Sequence, residues 1–143
     1  MVITKEILDE LNEQAKANPR LRQSMDLRNS SEDLSQRMLN ALEPETVMPI
    51  HRHKKTSETV VCLRGRLVWE YYGLTDLRRD GNTDLRIYGE ADLRKFGLTE
   101  TIELSPNGQV VALNVPAGQW HTVKALEPGS VIIGYKKVVR QVG

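Results

Sequence analysis

The sequence predicts a mainly β domain, a sandwich or barrel, preceded by one short helix. Three observations predict it. From Leu34 onward the chain is a series of short runs that are partly β-branched or aromatic. Turn residues separate most of these runs: Pro44, Pro49, Arg64-Gly65, Pro106-Asn107-Gly108, Pro116-Ala117-Gly118 and Pro128-Gly129. No helices alternate with them, and a parallel α/β sheet needs such crossover helices, so that class is excluded.

The helix comes first. Ile7, Leu8, Leu11 and Ala15 recur at helical spacing between Thr4, placed to cap, and Ala17, with Pro19 just beyond. The apolar stripe is narrow, which suits a helix laid across a sheet better than one that binds a partner. Arg20 to Asp33 is polar and reads as a connecting loop, so residues 1–33 form a helical extension and residues 34–143 the β domain. The expected strands are Arg37 to Leu42, Val47 to His53, Glu58 to Leu63, Arg66 to Tyr72, Glu100 to Leu104, Gln109 to Val115, Thr122 to Leu126 and Val131 to Val139. Asp-Leu-Arg recurs with a period of eight at Asp76, Asp84 and Asp92, with Gly81, Gly89 and Gly97 five positions after each Asp. A unit this short cannot stack a core of its own, so the repeat is placed as an insertion at about residues 74–98 in one hairpin connection. Surface loop, pocket lid and oligomer contact are its candidate roles.

Composition narrows the function. In 143 residues, 20 Lys and Arg face 19 Asp and Glu for a net charge of +1, which is too balanced for a non-specific nucleic-acid binder. A lone helix followed by a loop is not a helix-turn-helix. There is one cysteine, hence no internal disulfide, and no apolar run suggests a membrane span or signal peptide. A cytoplasmic protein with no nucleic-acid or membrane partner is expected. A domain of this size stands on its own packing, so a bound metal would be functional rather than structural.

All three histidines, with one carboxylate, form the candidate centre. His51 and His53 are two apart, and on a strand that spacing puts both imidazoles on one face, roughly 6–7 Å apart along the backbone. Glu58 follows at an odd offset that the turn-like Lys54-Lys55-Thr56-Ser57 can reset. His121 follows the tight Pro116-Ala117-Gly118 turn and would approach from the opposite side. Three imidazoles and a carboxylate suit one divalent first-row metal, Zn, Fe, Mn, Ni or Co, and an octahedral ion would keep positions open for water, substrate or dioxygen.

His51-Arg52-His53, four residues, Glu58, six residues, Gly65 is similar to the first motif of the cupin superfamily. Pro116-Ala117-Gly118-Gln119-Trp120-His121 resembles the core of its second. The resemblance covers roughly Leu34 to Val139 and implies a double-stranded β-helix barrel, the RmlC-like jelly roll, with His51, His53, Glu58 and His121 as metal ligands. Glu45, Val110 and Ala125 stand where the pattern has two glycines and an asparagine; none is a ligand. More narrowly, Arg37-Met38-Leu39-Asn40-Ala41-Leu42 before Pro49-Ile50-His51-Arg52-His53-Lys54 resembles the WbuC-type cupin fold metalloproteins of bacteria, a group associated with surface-polysaccharide gene clusters.

Further candidates line the expected pocket. Arg37 and Asn40 are polar residues of the first barrel strand on opposite faces, and Arg37 is preferred as the inward one, beside an anion. Trp120 could pack on the sheet or wall the pocket, and Tyr71, with Trp69 and Tyr72, belongs to the core and rim of the barrel or to a substrate platform. Cys62 is expected as a buried, inert thiol. The expected function is a metalloenzyme on a small polar metabolite such as a sugar or sugar acid, an isomerase, epimerase or dioxygenase, with no general base identifiable. The alternatives are a non-catalytic module that binds or senses a small ligand and a metal-free cupin. Exposed barrel edges make a homodimer the expected assembly.

Overall fold

The computed structural model describes residues 1–76 and 94–139. Helix α1 spans Lys5–Ala17; its N-cap Thr4 accepts a hydrogen bond from the Ile7 N–H, satisfying one of the amides that a helix start leaves free. Eight strands follow: β1 (Arg22–Asp26), β2 (Ser35–Leu42), β3 (Glu58–Arg64), β4 (Leu67–Asp76), β5 (Arg94–Leu104), β6 (Ala112–Val115), β7 (Trp120–Ala125) and β8 (Ser130–Lys137). They form two antiparallel sheets, one of five strands in the order β1-β2-β8-β3-β6 and one of three in the order β5-β4-β7. The strand pattern predicts a sandwich or barrel, and the arrangement is the jelly roll that the cupin resemblance implies.

Two corrections to the predicted elements concern the polar connections. Arg20 to Asp33 is not only a loop: Arg22–Asp26 forms the edge strand β1, paired with β2 from Arg22↔Leu42 to Asp26↔Met38. Its sequence, Arg-Gln-Ser-Met-Asp, has one apolar residue because an edge strand is held by a neighbour's backbone and fully buries none of its side chains. Val47 to His53, conversely, is not a strand. Only His51 pairs, in a single bridge to His121. The repeat between β4 and β5 falls mostly on residues 77–93, outside the described residues, although its flanks pair as the hairpin Asp76↔Arg94.

The two faces of β2 separate two cores. Leu39 and Ala41 face outward and, with Val131, pack against Leu11 and Ala15 of α1, so the helix covers the outside of the five-stranded sheet. Leu42 faces inward with Val60, Leu67, Trp69, Leu104, Val123 and Ile132, filling the closed end between the sheets. Cys62 is buried in this core and burial raises its thiol pKa. Among the described residues, no helix is long and apolar enough to cross a membrane.

Gly65 makes the β3–β4 turn with φ +79°, and a Cβ there would lie 2.7 Å from the Ser130 Cα. Both the left-handed backbone and the close approach require glycine. Gly65→Ala should cost about 2 kcal/mol or more, seen as a lower urea midpoint at unchanged m-value. An unchanged midpoint would mean that the turn tolerates a side chain.

Candidate metal centre and its cavity

The open end of the barrel holds a cavity of about 490 Å³. Each strand of its wall contributes alternate residues: Gln36, Met38 and Asn40 from β2, Ile132, Gly134 and Lys136 from β8, Glu58 from β3, Trp69 from β4, and His121 and Val123 from β7. The loop before β3 adds Met48, Pro49, His51 and His53, and β1 adds Arg22, Gln23 and Ser24.

The three imidazoles converge here. His51, His53 and His121 each offer a ring nitrogen, and these atoms lie within 4.8 Å of one another. His51 is brought in by the backbone: its N–H donates to the His121 carbonyl at 3.0 Å and the His121 N–H returns a bond at 2.9 Å. Directly opposed residues of an antiparallel pair project to the same face, so the two rings sit 4.4 Å apart between centroids. His53, two residues on, keeps that face at 5.4 Å from His51. The Gly118 N–H donates to the His53 carbonyl at 2.8 Å, tying the turn before β7 to the same loop. Gly118 has φ +82°, the geometry that this turn requires.

Hydrogen bonds choose the donor atoms. His51 Nδ1 lies 3.0 Å from the Pro49 carbonyl and His121 Nδ1 2.8 Å from the Gln119 carbonyl. A carbonyl can only accept, so each Nδ1 carries the proton and each Nε2 keeps its lone pair. His53 differs: the Lys136 ammonium donates to its Nδ1 at 3.2 Å, and its Nε2 faces the Glu58 carboxylate at 3.6 Å. Trp69 stacks on His121 with centroids 5.3 Å apart and an interplanar angle of 15°, fixing the buried ring.

Burial and crowding favour the neutral forms of His53 and His121. Desolvation, then the Lys136 ammonium and the other two imidazoles, lower the His53 pKa to about 4. Burial likewise lowers that of His121, against the opposing effect of its bond to Gln119. Burial raises the Glu58 carboxyl, opposed by Lys136 and His51. Neutral imidazole is the form that ligates a metal.

Three other predicted pocket residues lie elsewhere. Arg37 shares the outward face of β2 with Leu39, its guanidinium ion-paired to Asp33 at 3.0 Å; strand alternation gives the inward place to Asn40 instead. Trp120 alternates away from His121 and lies under the Arg52 guanidinium, 4.6 Å from its ring centroid. Tyr71 is buried in the core with its hydroxyl donating to the Asn114 carbonyl at 3.4 Å, and Trp69 takes the cavity position. Lys136 and Arg22 carried no signal in the sequence, although the rows of the sheet place Gln36, Lys136 and Glu58 side by side.

A family model described as a domain of unknown function, DUF6016, matches residues 3–75. The chain belongs to the DUF6016 family. The matched segment contains α1, His51, His53 and Glu58 and stops short of His121. No curated protein matches the sequence. Among solved structures, the DUF6016 chain is similar to KdgF from Halomonas sp., with a TM-score of 0.56 and 18% identity over 86% of this chain and 84% of that one. CapF from Staphylococcus aureus, a capsular polysaccharide assembling protein, aligns with a TM-score of 0.54 and 18% identity over 87% of this chain and 30% of that one. The cupin domain of Cnp3 from Schizosaccharomyces pombe aligns at 0.50 and 11% identity over 83% and 65%. The DUF6016 chain therefore has the cupin fold.

The lowered imidazole pKa values set a pH dependence. Metal-free protein binds fewer protons at His53 and His121 than its unfolded chain does, so their neutral forms stabilise it above about pH 6.5, and this is lost as pH falls toward the His53 value of about 4. The raised Glu58 acts in the opposite sense, since its folded form takes up a proton more readily than the unfolded chain. Urea midpoints of metal-free Glu58→Gln protein, in which the opposing carboxyl is removed, should fall between pH 7 and pH 5, and adding His53→Gln should flatten that fall. An equally steep fall in the double variant would remove His53 as its source.

Proposed function

We propose that this cupin binds one divalent transition metal through His51, His53 and His121, with Glu58 as the fourth ligand, and acts as a metalloenzyme on a small polar metabolite, a sugar or sugar acid. One observation carries this: three imidazoles, two with their Nε2 lone pairs set by backbone carbonyls, converge on the wall of the cavity. Imidazole and carboxylate are the donor set for Zn, Fe, Mn, Ni or Co.

The metal, when bound, would polarise a carbonyl or hydroxyl oxygen of the ligand. The chain's residues supply the rest. Asn40, Gln36 and Ser24 present neutral hydrogen-bonding groups of the kind that match sugar hydroxyls. Trp69 and the closed apolar end keep water from the back of the centre. The WbuC-type resemblance and the likeness to a capsular polysaccharide assembling protein both favour carbohydrate chemistry. A non-catalytic ligand-binding module is the second reading, and it is favoured because, among the described residues, the cavity lining includes no further carboxylate or tyrosine that could serve as a base beside the ligand set. Turnover against sugars, keto acids and oxygen-dependent substrates separates the two.

Elemental analysis of protein purified without added metal should find near-stoichiometric divalent metal, and His53→Ala or His121→Ala should lose most of it. Glu58→Gln should retain metal with weaker affinity. Lys136→Met, which removes a cation beside His53, should bind metal more tightly than wild type. Equal metal content in wild type and both alanine variants would end this assignment.

A further inference from the structure

The cavity is richer in cationic side chains than its metal centre needs. Arg20, Arg22 and Lys136 line it against the single carboxylate of Glu58, among the described residues. Lys136 is engaged by His53, and Arg20 is exposed. Arg22 is different, because it is partly buried and its guanidinium meets the Met48 thioether. Thioether sulfur is a weak acceptor, and a guanidinium has five N–H donors. Among the described residues no carboxylate pairs with Arg22.

Its position is fixed from two sides. The Arg22 backbone pairs with Leu42 at the edge of the five-stranded sheet. Met48, against which the guanidinium lies, precedes His51 by three residues, and its carbonyl accepts from Thr122 Oγ1 of β7 at 2.8 Å. The cation thus reaches from one sheet to the loop that carries the imidazoles, within the same cavity. A partly desolvated guanidinium with an under-used fork is suited to a bidentate oxyanion.

We propose that Arg22 is the anion-binding group of this cavity and that the physiological ligand carries an oxyanion, a carboxylate or a phosphate, seated on Arg22 while its hydroxyl or carbonyl oxygens point toward the histidines. Asn40 and Ser24, opposed in the β1–β2 register and both lining the cavity, add neutral hydrogen bonds between the two ends. This deepens the metalloenzyme reading by naming its substrate class, and it rests on that reading only for the direction of the ligand's other end.

Calorimetric titration of the full chain, metal-free and zinc-loaded, with D-glucuronate, glucose 1-phosphate and D-glucose tests it. At least one anion should bind about tenfold or more tighter than glucose, less so as salt rises. Arg22→Met should abolish that preference while metal stoichiometry and melting temperature stay near wild type. Arg22→Lys should restore part of it, since it keeps the charge without the fork. Whichever anion shows the Arg22-dependent preference identifies the oxyanion. No preference in wild type, including no binding of any probe, or a preference that survives Arg22→Met, overturns the proposal. Should Arg22→Met fail to fold, full anion affinity in Arg22→Lys combined with no salt dependence would overturn it equally. Loss of metal binding with an intact anion preference would sink the metal reading and leave this one standing.

Discussion

The reciprocal backbone bonds between His51 and His121 are the constraint on which the centre depends. Two N–H···O contacts of 3.0 and 2.9 Å fasten an otherwise irregular loop to the edge of the three-stranded sheet. Side chains at an opposed pair share a face, so one backbone interaction delivers two ligands from positions seventy residues apart in the chain. His53 is held by its own carbonyl, which accepts from the Gly118 N–H, and the bend at Lys54 and Lys55 returns the chain to β3 with Glu58 as its first residue. A slip of one residue in this pairing would turn His51 out of the barrel.

The five-stranded sheet has a different task. Because α1 packs on the outer face of β2, the inner face can carry Gln36, Met38 and Asn40 beside the cavity without costing the fold its hydrophobic support. Apolar packing is concentrated at the closed end, around Leu42, Leu67, Leu104 and Ile132. Polar chemistry occupies the open end. Lys136 stands between the regimes, depressing proton affinity at His53 and His121 and partly opposing the effect of burial on Glu58. The electrostatics of the centre therefore include a cation that is not a ligand.

The cupin fold is shared with proteins of unrelated size and role, including a capsular polysaccharide assembling protein of which this chain matches 30%. Fold alone does not specify chemistry. In this chain the cavity is lined by a guanidinium at the β1 edge, an ammonium beside the histidines, and a tryptophan stacked on one of them.

By itself the sequence determined the elements whose cause is local. Turn residues and β-branched runs marked seven of the strands, helical spacing and Thr4 marked α1, and the two histidine-bearing motifs marked the residues that meet. It could not show β1, whose Arg-Gln-Ser-Met-Asp becomes a strand only because β2 offers it a backbone edge. Nor could it say which of Arg37 and Asn40 faces inward, since alternation gives relative faces and only the docking of α1 on Leu39 and Ala41 decides the absolute one. Lys136 and Arg22 were invisible for the same reason: a charged residue on a strand becomes part of a site when distant strands close around it, and that closure belongs to the tertiary structure.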